Sequence, residues 1–189
     1  MASSTQITTG KVRFSFCNLF APRSIDGGPA KYSVTLLIPK KDKTTFEKIK
    51  TAMDAAKSAY IQRNSGKKLP SNLKHTMHDG DGERPNGGDF GEECKGCYVM
   101  TVSSNNPPVV VDSGKNPILE PRDLFSGCYG RAIINFYVYD TNGNKGISAG
   151  LNGVMKLSDG EPLSGGVVTD EDWDDGWEDD DEDDDGLLD

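Results

Sequence analysis

The sequence is poor in the residues from which active sites are usually assembled. Histidine occurs only at His75 and His78. There is no GxxxxGK[ST], GxGxxG or HExxH run, so the phosphate-loop, dinucleotide and zinc-protease readings have no footing. No apolar run approaches the roughly 18 residues that a membrane helix needs, and a soluble protein without membrane contact is expected. Cysteine occurs four times, at Cys17, Cys94, Cys97 and Cys128. With no charged-then-apolar leader at the start, that number suits a reducing cytoplasm better than a secreted disulfide framework. Internal repeats are also missing.

Basic residues are absent from one stretch in particular. From Thr169 to Asp189 there are 14 Asp and Glu and no Lys or Arg. Residues 1–168 therefore keep 16 acids against all 21 bases, so the body is near +5 although the whole chain carries −9. A basic body with its own acidic tail is a sign asymmetry that points to a polyanion partner, most often nucleic acid. The tail cannot bury enough apolar surface to offset its chain entropy and is expected to be disordered.

Strand signals dominate the rest. In KVRFSFCNLF, Val12, Phe14 and Phe16 alternate with Lys11, Arg13 and Ser15, which predicts a strand with the three apolar residues inside. KYSVTLLIPK repeats the pattern, with Tyr32, Val34, Leu36 and Ile38 opposite Lys31, Ser33 and Thr35. Further strands are expected in CYVMTVSS, PPVVVD, GCYGRAIINFYVYD and ISAGLNGVMKL. The period changes once: Phe46, Ile49, Met53, Ala56 and Tyr60 recur at helical spacing after Thr44 and Glu47 in capping-box positions, predicting a helix over about 45–62. Residues 66–96 lack periodicity and read as a long surface loop. The expected architecture is mainly β: an OB-fold-like barrel of five or six strands with one inserted α-helix, spanning 1–163, followed by a linker and acidic tail over 164–189.

In RAIINFYVYD, Ala132, Ile134, Phe136 and Val138 should point inward, which leaves Arg131, Ile133, Asn135, Tyr137 and Tyr139 outside. None of the outward positions on these strands is acidic. Cations to follow phosphates and rings on which bases stack are what a single-stranded nucleic-acid groove requires, and such stacking tolerates sequence. The same tyrosines would equally suit packing under a loop or against a second copy of the chain, a homo-oligomer. Lys11, Arg13, Lys31, Arg131, Tyr137 and Tyr139 form the candidate contact set, with Arg23 and Lys95 adding loop contacts. The tail, tethered to a basic groove, would compete with nucleic acid for it, and Trp173 and Trp177 could stack in place of bases. Its end, with Asp183, Asp184, Asp185, Leu187 and Leu188, would offer other proteins an acidic and apolar docking segment.

Two further groupings bear on chemistry. The start of DGDGERPNGGDF has calcium-loop acid spacing but lacks the central Gly and ends on Phe90, so it reads as a polar turn cluster. The pairs His75, His78 and Cys94, Cys97 have metal-ligand spacing and are candidates for a zinc site, with unpaired loop residues as the simpler account. No cofactor is expected.

FSFCNLFAP, KYSVTLLIPK, VVVD, GCYGRAIINFYVYD, NKGISAGLNGV and DGEPL, in this order and followed by an acidic tail, resemble the phage-encoded single-stranded DNA-binding proteins with one OB-type barrel. The resemblance runs from about Gly10 to Leu163. It implies sequence-tolerant coating of single-stranded DNA in the host cytoplasm, no catalysis, and tail-mediated contact with replication or recombination proteins. The rival readings are a protein-interaction module whose tail mimics nucleic acid and, more remotely, a metal-dependent enzyme built on the His and Cys pairs.

Overall fold

Alternating apolar residues build the long strands, and the order in which those strands pair closes them into a ring. The computed structural model describes residues 4–24, 27–70, 73–85, 87–141 and 143–163. Trp173, Trp177, Asp183, Asp184, Asp185, Leu187 and Leu188 lie outside the described residues. The strands are β1 (Gln6–Thr8), β2 (Val12–Arg23), β3 (Lys31–Pro39), β4 (Lys74–His75), β5 (Met77–Asp79), β6 (Cys97–Ser104), β7 (Val109–Val111), β8 (Tyr129–Thr141) and β9 (Asn144–Ser158). One helix, α1 (Lys43–Arg63), lies between β3 and β6.

Five strands form the ring in the order β8, β2, β3, β6, β9 and back to β8. All pair antiparallel except β6 with β9, which run parallel where Ser103 meets Gly150. Closure leaves none of the five with a free edge. The short strands are appended: β1 on β8, β4 and β7 on β9, β5 on β6. The fold is mainly β and OB-like, as expected, with a five-stranded barrel. The segment read as an unbroken loop over 66–96 in fact contributes β4, β5 and a 3-10 turn at Glu92–Cys94.

The barrel interior is filled by Phe14, Leu36, Ile38, Met100, Ile134, Phe136 and Leu151, all essentially without solvent contact. Ala132, Ile134 and Phe136 point inward as their spacing requires. Phe16 does not: it is 63% exposed, at φ 47°, where the pairing of β2 with β3 shifts between Ser15 and Asn18. A β-bulge inserts residues without partners and reverses the phase of the strand beyond it, so Leu19 takes the inward place that strict alternation gives to Phe16.

On α1, Ile49, Ala52, Met53, Ala56 and Tyr60 form the buried face, packed against β8 and β1. The cap is Asp42 rather than Thr44: its carboxylate accepts from the Thr45 N–H at 3.1 Å and the Thr45 hydroxyl at 2.6 Å. Tyr60 donates to Asp140 at 2.8 Å, which ties the far end of the helix to β8. None of the described helices is long and apolar enough to cross a membrane.

Candidate nucleic-acid interface

The outward row of β2 and β3 that alternation marks, Ser15, Ser33 and Thr35, is nearly closed to solvent. Ser33 and Thr35 are only 8% and 7% exposed, and Arg84, Pro85, Gly87, Phe90, Glu93 and Cys94 stand across from them as a cover. Between cover and barrel lies a groove of about 680 Å³. Its floor is hydroxylic, with Ser15, Ser33, Thr35 and Thr101 among its lining and the Thr35 and Thr101 hydroxyls 3.1 Å apart. Phe16 and Phe90 supply rings, Arg23 and Arg84 cations, and the Arg84 guanidinium sits 5.5 Å from the centre of the Phe90 ring. The bulge that turns Phe16 outward thus places an aromatic side chain in this groove.

The cover is held by a three-charge clamp. The Lys40 ammonium donates to Asp79 at 2.5 Å and to Asp81 at 2.7 Å, and Asp81 accepts from the Gly96 N–H at 3.1 Å. Hydrogen bonds to Asp79 and then Asp81 hold the Lys40 pKa well above its ordinary value, and the bond from Lys40 holds both carboxyls below theirs.

A second section of about 700 Å³ continues beyond Leu37 and Glu93, which line both. Lys11 and Arg13 here stand over the Tyr129 ring, 5.1 and 5.5 Å from its centre. Arg13 is already engaged: Nε donates to the Gly127 carbonyl at 3.2 Å and a terminal nitrogen to the Glu161 carbonyl at 2.6 Å. The chain segment at Glu161–Leu163 therefore forms a strap. The Leu163 N–H donates to the Ser126 carbonyl at 2.9 Å, and its side chain packs on Leu37, Cys94 and Val99, at the junction of the two sections. Side chains at Gly127 or Gly160 would collide with the opposing backbone, so this close approach requires glycine at both.

The rest of the predicted set is distributed around the barrel. Lys31 sits opposite Arg23 at the outer end of β2 and β3, and Lys95 lies on the cover, 3.6 Å from Glu92. Arg131 donates to the Thr9 carbonyl at 2.8 Å and lines a separate, mostly apolar pocket of about 230 Å³ with Val109 and Ile133. Tyr137, 41% exposed, and Tyr139 pair with Ser148 and Gly146 of β9 and line neither section. Phe16, Arg84, Phe90 and Tyr129 were not singled out from the sequence as contact residues. Phe16 was hidden by its apolar phase, and the others stand in turns or at a strand start, where periodicity carries no signal.

The barrel that carries this groove has counterparts among known proteins. The sequence profile of the family described as Enterobacter phage Enc34 ssDNA-binding protein matches residues 5–186. The chain belongs to this family. Protein p50 of Acyrthosiphon pisum secondary endosymbiont phage 1 is 31% identical over 178 residues, covering 90% of this chain and 93% of that protein. The solved single-stranded DNA-binding protein of bacteriophage Enc34, in complex with ssDNA, superposes with a TM-score of 0.71 at 26% identity, over 85% of this chain and 90% of that one. Bacteriophage T7 gp2.5, a single-stranded DNA-binding protein, matches at TM-score 0.58 and 16% identity over 97% of both chains, a likeness of fold. The resemblance seen in the sequence blocks is thus one of family.

The His and Cys pairs of this Enc34-family chain do not come together in one cluster among the described residues. Among the described residues no three His, Cys, Asp or Glu side chains are grouped to hold a metal. His75 and His78 have ring centres 6.5 Å apart on β4 and β5, whereas Cys94 and Cys97 flank the turn into β6. Burial raises the pKa of both of these thiols and pushes that of Cys17 up to about 12, which leaves them weakly nucleophilic. The run Gly146–Gly150 has the G-x-S-x-G spacing of a hydrolase elbow, but Ser148 lies in the middle of β9 rather than at a strand-to-helix turn.

Proposed function

We propose that this protein binds single-stranded DNA, with little sequence preference, during phage replication or recombination. The observation that carries the reading is the groove across β2, β3 and β6: a hydroxyl-lined floor, rings from Phe16 and Phe90, and cations from Arg23 and Arg84, continued by Lys11, Arg13 and Tyr129. Stacked rings and backbone-following cations bind any base order. Lys31, Lys95, Arg131, Tyr137 and Tyr139 complete the proposed contacts. The binding body is residues 1–163 and the protein acts without catalysis in the host cytoplasm.

On this reading the acidic segment after Leu163 competes for the groove. A polyanion tethered beside its own site has an effective concentration on the order of millimolar, and the strap ties its point of attachment to the groove junction. When a strand displaces it, the segment becomes available to replication or recombination proteins. Titration of a labelled oligonucleotide with the full chain and with a chain ending at Leu163 tests this. The shortened chain should bind more tightly, most visibly at low salt. Failure of both chains to bind would favour a protein-interaction module with a nucleic-acid-mimicking tail.

A further inference from the structure

A second cation-rich tract lies on the far side of β6. No acidic residue occurs from Ala55 to His78, whereas Lys57, Arg63, Lys67, Lys68 and Lys74 do. Lys74 and Lys145 line a groove of about 760 Å³ together with Leu73, Tyr139 and Asn144. Asp140, the acid nearest this groove in sequence, accepts from Tyr60 at 2.8 Å and lies 3.9 Å from Lys145.

The strand between this tract and the groove under the cover carries no bulky outward side chain of its own. The outward row of β9 is Gly146, Ser148 and Gly150, with nothing larger than a hydroxymethyl group. The Tyr139 ring lies against Gly146, where a Cβ would come within 2.5–2.8 Å of its atoms. A Cβ placed on Gly150 would lie 3.7 Å from the Tyr137 ring and 3.9 Å from the Ser103 carbonyl oxygen. Strand register makes the row continuous: Ser33 pairs with Ser103, and Ser103 with Gly150. Small side chains thus lead from the groove floor across β6 and β9 to two tyrosines and two lysines.

We propose that a bound single strand does not end in the groove under the cover but crosses β9 at Gly150, beside Tyr137, and is held at its far end by Lys74, Tyr139 and Lys145. The inference rests on the reading of the first groove as a single-strand site. The tract has what a polynucleotide backbone needs: cations at one end, an aromatic ring seated against the sheet, and a floor low enough for sugar and phosphate to pass. Phosphates held at Lys74 and Lys145 release counterions in addition to those released in the first groove.

Length of the oligonucleotide separates the two sections. The full chain, a Lys74→Ala/Lys145→Ala variant and a Gly150→Val variant are titrated with oligothymidylates of about 4 and about 16 nucleotides, the range one such barrel covers. Lys74 is exposed and Lys145 half-buried beside Asp140, and a Cβ at Gly150 makes only ordinary contacts. Equal melting temperatures confirm that the variants fold. The expected result is unchanged binding of the short oligonucleotide and about tenfold weaker binding of the long one by both variants. For the lysine variant, the slope of log affinity against log salt should fall by about 1.4 with the long strand, from about 0.7 per phosphate contact. Long-strand affinity equal to that of the unmodified protein, or an equal loss at both lengths, overturns the second section. Failure of the unmodified chain to bind either oligonucleotide overturns the first-groove reading instead.

Discussion

Arg13 donates a hydrogen bond to the carbonyl oxygen of Glu161 at 2.6 Å, so the first groove strand holds the last described stretch of the chain. The same guanidinium stands over Tyr129 in a section lined by Lys11 and Lys41. One side chain thus serves both the strap and the cationic surface. Arg13→Lys keeps the charge but not the planar fork, and Arg13→Ala removes both. Hydrogen exchange at the Leu163 amide should accelerate in both variants. Oligonucleotide affinity of chains ending at Leu163 should fall by about 1 kcal/mol or more only in the alanine variant.

Phe16 and Phe136 occupy the same kind of strand with opposite fates. Phe136→Ala opens a cavity in the barrel interior and should cost about 3–5 kcal/mol of stability in denaturant unfolding. Phe16→Ala, at an exposed bulge, should shift stability by no more than about 0.5 kcal/mol. It should nonetheless weaken oligonucleotide binding by about 1–3 kcal/mol through the lost stacking surface.

Tyr137 and Arg131 belong to one outward row but have different surroundings. Tyr137→Ala should weaken binding of a long oligonucleotide by about 1 kcal/mol or more and leave melting nearly unchanged. Arg131→Ala also removes the donor to the Thr9 carbonyl, and should add a stability loss of about 1 kcal/mol in chemical denaturation.

The Lys40 clamp sets a pH window for the groove cover. Asp79 and Asp81 titrate below their unfolded values, so their contribution is present above about pH 4 and is lost as pH falls through the depressed folded values. Lys40 titrates above its unfolded value, so its share is complete below about pH 10 and is lost as pH rises through the raised one. Proteolytic susceptibility of the 82–96 segment should therefore stay flat between about pH 5 and pH 9 and rise in acid. Asp81→Asn should show elevated cleavage at neutral pH.

Much of this arrangement was legible before folding was considered. The inward row Ala132, Ile134, Phe136 is readable because each member is apolar while Arg131, Asn135 and Tyr137 between and beside them are polar, although Ile133 carries no such mark. The helix is readable because Ile49, Met53, Ala56 and Tyr60 recur every three or four residues. Phe16 was misplaced because an apolar residue in apolar phase carries no mark of a bulge, whose cause is a register shift against another strand. Ser33 and Thr35 were legible as outward-facing hydroxyls, but nothing local announces that Arg84, Phe90 and Glu93 will stand across from them.

By itself, the order of residues determined the strand faces, the helix and the division into a basic body and an acidic end, because alternation, helical spacing and charge are properties of neighbours along the chain. Only the tertiary structure decided that Arg13 grips Glu161, that Phe16 faces a groove, and that Tyr137 and Tyr139 lie over glycines of β9. Those relationships join residues far apart in sequence, and their geometry is set by ring closure, bulges and backbone approaches that no local pattern encodes.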